Sequence, residues 1–102
     1  MTDVAIVGCG GHGRELLDVI RACNEIERRW SVLGFVDDAP RHPERVERLD
    51  MKVLGPIEWL TEHPRPYALG IGTSAVRRRL SALLGGSGAT PITVIHPGAS
   101  IG

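Results

Sequence analysis

The residues best placed to do chemistry are Gly8, Gly10 and Gly13, spaced as G-x-G-x-x-G. That spacing is a phosphate cradle when a buried strand precedes it and a helix follows. The first glycine allows the tight turn, the second lets backbone approach a diphosphate, and the third lets the helix pack on the strand. Free N–H groups and the helix dipole then favour an anion at the helix start. His12, at the start of that helix, is either a donor to a phosphate or a capping, partly buried histidine. Cys9 stands beside it, but no third group orients the histidine as a base, and the spacer of a glycine turn needs a small residue.

A second constellation is the acidic pair Asp37-Asp38. Carboxylates next to a diphosphate repel it. Turned towards a nucleoside, they accept hydrogen bonds from ribose hydroxyls or a uracil N–H. The alternative is a pair of solvated loop acids. Arg77, Arg78 and Arg79 form a third group, and helical geometry sends at least two of them to solvent while one can face a phosphate.

The elements that must position these residues follow from periodicity. Val4 to Val7 is the continuous apolar run of a parallel strand, and Leu16, Leu17, Val19, Ile20 and Cys23 recur at helical spacing, predicting a helix over about 12–24. Trp30 covers an edge of the core ahead of a second strand, Val32 to Val36, which ends at Asp37-Asp38. Residues 39–50 carry two prolines and dense charge and read as a solvated loop, with Arg41, His42, Arg45 and Arg48 on its surface. Met51 to Leu54 is a short third strand, Pro56 introduces a short helix over 57–62, and Tyr67 to Ile71 is a fourth strand. Thr73 or Ser74 caps the next helix, whose apolar positions are Val76, Leu80, Leu83 and Leu84 and whose stop is Gly85-Gly86. Pro91 to Ile95 is a fifth strand. Ile95 and Ile101, six apart among small residues, are compatible with one turn of a hexapeptide-repeat β-helix or with a frayed end.

Composition narrows the function. In 102 residues, 12 Lys plus Arg balance 12 Asp plus Glu, so there is no basic field of the kind nucleic acid or an anionic membrane selects, and neither partner is expected. No apolar run reaches a membrane span, and Met1-Thr2-Asp3 leads directly into a strand without a charged leader, so a cytoplasmic location is expected. Cys9 and Cys23 have neither metal spacing nor a secreted framework, and are expected to stay reduced thiols with no metal bound. The chain has room for one modest core.

Four segments together resemble a known family: Ile6 to Arg14, Leu33 to Asp38, Gly70-Ile71-Gly72 with Arg77, and Val94 to Ile101. In this order they look like the N-terminal domain of bacterial nucleotide-sugar acetyltransferases of the PglD/NeuD type, and the resemblance spans the whole chain. It implies a small Rossmann-like α/β fold, a parallel sheet of about five strands flanked by helices. Residues 1–95 would form the nucleotide-sugar-binding domain and 96–102 the start of a left-handed β-helix.

By the same resemblance Gly10, Gly11, His12 and Gly13 would contact the UDP-amino-sugar, Asp37 and Asp38 would hold the uridine, and Gly72 and Thr73 would line the same pocket. In the family the β-helix forms homotrimers, binds acetyl-CoA between subunits and supplies the catalytic histidine, so this chain is expected to bind no cofactor and perform no catalysis alone. This sequence departs from many relatives in having Thr73-Ser74 where they carry asparagine. The residues leave open a second reading, a free-standing NAD-type dinucleotide-binding module, which the same glycines and an acid after strand two also satisfy. An interaction domain that has lost its ligand is a third.

Overall fold

The computed structural model describes residues 2–8, 11–40, 43–69, 74–92 and 94. Its strands are β1 (Thr2–Val7), β2 (Trp30–Val36), β3 (Val53–Gly55), β4 (Tyr67–Leu69) and β5 (Pro91–Ile92). Its helices are α1 (Gly11–Ile26), α2 (Pro43–Glu47), α3 (Trp59–Glu62) and α4 (Ser74–Leu84). Every strand pairing is parallel, in the order β3-β2-β1-β4-β5. The order reverses between β1 and β4, and in open α/β sheets the crevice at such a reversal is where ligands bind.

The pattern of β1 explains why the sheet is covered on both sides. Successive side chains of a strand alternate between faces, so a strand buried on both must be apolar throughout. Val4 and Ile6 pack with Phe35 and Ala68 against Leu17 and Ile20 of α1 and Val46 of α2. Ala5 and Val7 pack on the opposite face with Val36 and Tyr67, against Ile57 and Leu60 near α3 and Leu80 and Leu84 of α4. The fold is therefore a three-layer, small Rossmann-like α/β arrangement, with β1 at the centre of both cores.

Several boundaries differ from those expected from sequence. Helix α1 continues to Ile26, although Ile26 is exposed. Asn24 lies inside it and clamps the exit: its amide donates to the Trp30 carbonyl at 2.7 Å, and its side-chain oxygen accepts from the N–H groups of Arg29 and Trp30, both at 3.1 Å. Trp30 is thus part of β2, which starts earlier than Val32.

The charged segment read as a loop contains α2, with Val46 fully buried. Pro43 suits a first helical turn. Burial of Val46 contributes about 1.5–3 kcal/mol, which docks the segment. A second tether comes from Arg21, whose Nη2 donates to the Leu49 carbonyl at 2.7 Å.

The third strand is shifted to Val53–Gly55, and the helix after Pro56 begins as a turn that becomes helical at Trp59. Strands β4 and β5 are found at Tyr67–Leu69 and Pro91–Ile92, but Val94, expected in β5, lies outside any strand; residues 70, 71, 93 and 95 lie outside the described residues, as does the tail 96–102. Among the described residues, no helix is long and apolar enough to cross a membrane.

Candidate functional site

Of the three motif glycines, Gly8 and Gly13 are described and meet as their spacing requires. Gly8 is buried with φ +91°, a left-handed conformation that glycine adopts without steric cost, and it redirects the chain out of β1. Its N–H donates to the Val36 carbonyl at 2.8 Å, joining the ends of β1 and β2. The chain is helical again from Gly11. Gly13 then faces back onto the turn: a β-carbon there would overlap the Gly8 carbonyl oxygen, lie 2.8 Å from its carbon and touch the Phe35 ring at 3.4 Å. The third glycine of the motif does what the spacing predicts, holding the first turn of α1 tight against the strand end.

The acidic pair lies at the same edge of the sheet, one strand over. The Asp37 N–H donates to the Gly55 carbonyl at 3.0 Å, and its carboxylate Oδ1 accepts from the Ala39 N–H at 2.9 Å, closing a short turn. The Asp38 Oδ1 reaches across to the Ile57 N–H at 2.9 Å, at the start of the segment leading into α3. Gly8 to Val36, Asp37 to Gly55 and Asp38 to Ile57 thus knit the ends of three strands into one rim. Asp37 is half-buried and Asp38 exposed, so the pair faces outward from that rim.

The structure brings Gly8, Gly13, Asp37 and Asp38 together at the carboxyl edge of β1 and β2. Gly11 and His12 fall in the first turn of α1, and the His12 side chain is outside what the structure describes. Gly10, Gly72 and Thr73 lie outside the described residues altogether. Among the described residues, no group of three His, Cys, Asp or Glu could hold a metal.

Sequence reasoning separated the three arginines only in part. All three are exposed, but Arg77 shares a helical stripe with Leu80, Ser81 and Leu84 and lines a cavity beside β4 and β5, whereas Arg78 and Arg79 do not. The i, i+3, i+4, i+7 spacing from Arg77 was the signal that could have identified it. Two features of Asp37 and Asp38 were not foreseen, the turn to Ala39 and the bond to Ile57. A third missed feature is a surface stack, in which the Trp59 and His63 rings lie 4.6 Å apart at 19° with the Arg65 guanidinium 5.1 Å from the Trp59 ring.

The described part of this rim brings together the first turn of a helix packed on a strand end and, one strand away, two carboxylates that can accept from hydroxyl or N–H groups.

The family model described as the PglD N-terminal domain matches residues 3–84. A UDP-N-acetylbacillosamine N-acetyltransferase of Bacillus subtilis (strain 168) is 28% identical over 113 residues, an alignment covering 99% of this chain and 46% of that protein. The chain thus spans about half the length of this curated relative.

Proposed function

Because the chain belongs to the PglD N-terminal domain family, we propose that it holds the UDP part of a UDP-amino-sugar for an acetyl-CoA-dependent sugar N- or O-acetyltransferase. The observation carrying this reading is the contact of Gly13 with the Gly8 carbonyl beside the Asp37-Asp38 rim. That packing leaves the first turn of α1 with its N–H groups at the strand edge, where a diphosphate is stabilised by the helix dipole. The carboxylates, one strand away, are separated from the diphosphate and available to a nucleoside.

The relative's name, an N-acetyltransferase, supports the acetyl-transfer assignment, and by the family resemblance a β-helix would supply the catalytic base, the acetyl-CoA site and the trimer. The role of these 102 residues in that scheme is to bind and orient, in the cytoplasm and as part of bacterial glycan biosynthesis. Orientation is itself catalytic currency, since holding a nucleophile in line with a thioester removes much of the entropic barrier to acyl transfer.

Titration calorimetry with UDP, a UDP-amino-sugar and NAD tests the reading. UDP and the UDP-sugar should bind with a Kd of roughly micromolar to millimolar, and NAD more weakly. Gly10→Val should abolish that binding in a folded protein, because its methyl groups fill the space of the diphosphate. NAD preferred over UDP would establish the dinucleotide-module reading, and unchanged affinity in Gly10→Val would move the ligand away from the turn.

A further inference from the structure

A cavity of about 290 Å³ opens beside β4 and β5, on the opposite side of β1 from the acidic rim, with lining residues from α1 on one face of the sheet and α4 on the other. Leu16, Leu80 and Ile92 supply much of its apolar lining, and Tyr67, Arg77 and Ser81 its side-chain polar groups. Tyr67 is only 3% exposed. Among the described residues its hydroxyl makes no hydrogen bond, yet it is not sealed from solvent either, so it opens into this cavity. The hydroxyl is thus open to solvent rather than sealed in the core, and an acceptor entering the cavity can receive it. Arg77 likewise has no ion pair or hydrogen bond among the described residues, although its place on the α4 stripe directs it towards the sheet.

We propose that this cavity binds a small aliphatic carboxylate, whose oxygens receive the Tyr67 hydroxyl, the Ser81 hydroxyl and the Arg77 guanidinium while its chain lies on Leu16, Leu80 and Ile92. All three polar side chains can donate, the Arg77 guanidinium can do nothing else, and among the described residues no carboxylate lines the cavity, so an acceptor anion is a complementary ligand. The Tyr67 hydroxyl, which burial pushes above its ordinary value of 10.0, is protonated at neutral pH. The volume is at the low end of small-molecule sites, about 300–1,000 Å³, which suits a short-chain acid and is small for a nucleotide. A phosphate dianion would meet one guanidinium and an apolar floor, leaving its second charge uncompensated. The site uses none of the residues at the glycine turn or the acidic pair, but it adjoins the start of α4, next to Gly72 and Thr73, which the family resemblance assigns to the nucleotide pocket.

Tyr67 is the sole tyrosine of the chain, so its ring signals in NMR are unambiguous. The experiment titrates the protein carrying ¹³C-labelled tyrosine with butyrate, butyramide and inorganic phosphate at neutral pH. Butyrate should shift the Tyr67 signals saturably, with a Kd of about 1 mM or below. Butyramide, which lacks the charge, should bind about tenfold more weakly, as should butyrate to Arg77→Met, an exposed substitution whose amide spectrum should otherwise be unchanged. Tyr67→Phe, followed on the methyl signals of Leu16 and Leu80, should lose affinity by a similar factor. Absence of a saturable shift at tens of millimolar butyrate, equal binding of butyramide, or phosphate binding as tightly as butyrate would each overturn the assignment.

Discussion

The α-carbon of Gly13 sits against the carbonyl of Gly8, so close that a β-carbon at position 13 would overlap the Gly8 oxygen. The obstacle is backbone rather than the end of a flexible side chain, and the Phe35 ring closes the other side. Gly13→Ala must therefore push α1 away from β1. The expected loss is about 1–3 kcal/mol of stability, as for other overpacked interiors, read from the urea midpoint. Nucleotide affinity should fall with it, because the N–H groups of the first helical turn move. An unchanged midpoint would show that α1 is free to slide on the strand end.

Asp38 joins the end of β2 to the start of the α3 segment through its bond to the Ile57 N–H. Asp38→Ala leaves that N–H without its acceptor and should cost about 1–2 kcal/mol, whereas Asp38→Asn retains an acceptor oxygen and should cost less. Comparing the two variants in UDP titrations separates scaffold from contact. If Asp38→Asn keeps the stability but loses affinity, the carboxylate meets the ligand directly; if affinity follows stability in both variants, its role is to hold the rim.

Tyr67 makes alkaline stability pH-dependent. Its hydroxyl titrates above the ordinary value of 10.0 in the folded chain because burial disfavours the phenolate. The unfolded chain therefore loses this proton first as pH rises. The stability contribution is complete below about pH 10 and is lost progressively above it, as pH climbs towards the folded pKa. Urea midpoints compared between the parent chain and Tyr67→Phe isolate this group from the lysines. The two should diverge only above about pH 10, the parent losing more. Parallel curves would mean that the phenol is as well solvated folded as unfolded.

The 102 residues alone should not transfer an acetyl group. Acyl transfer to an amine needs a base within hydrogen-bond reach of the nucleophile and a thioester held in line with it. In the described rim the carboxylates Asp37 and Asp38 are engaged with Ala39 and Ile57, and His63 lies in the stack with Trp59. Incubation with acetyl-CoA and a UDP-4-amino-sugar, following thiol release, should give only the uncatalysed rate. Turnover above background would place a base and a thioester site within this chain.

The region from β1 through α1 was legible because its determinants are local. A four-residue apolar run, a glycine spacing and a helical repeat lie within about two dozen residues, and each constrains only its near neighbours. The parallel sheet was legible for a related reason, since Val4 to Val7 can be apolar throughout only if both faces are covered. The segment holding α2 was not, because its one fully buried residue, Val46, earns its helix from a core supplied by Ile20 and Phe35, far away in the chain. Asn24 was hidden for the same reason, since an asparagine near a helix end reads as a stop until Trp30 is folded back against it.

By itself the sequence determined that a strand passes through a glycine turn into a helix, and that acids follow the second strand. Those facts reside in residue type and short spacing, which covalent geometry and burial translate directly into structure. Only the tertiary structure decided that Asp38 reaches Ile57, that Arg77 rather than its two neighbours faces a cavity, and that the Tyr67 hydroxyl opens into that cavity without a partner. Each of these depends on which strands become neighbours. That choice is made by the burial of both sheet faces at once, and no short stretch of sequence contains it.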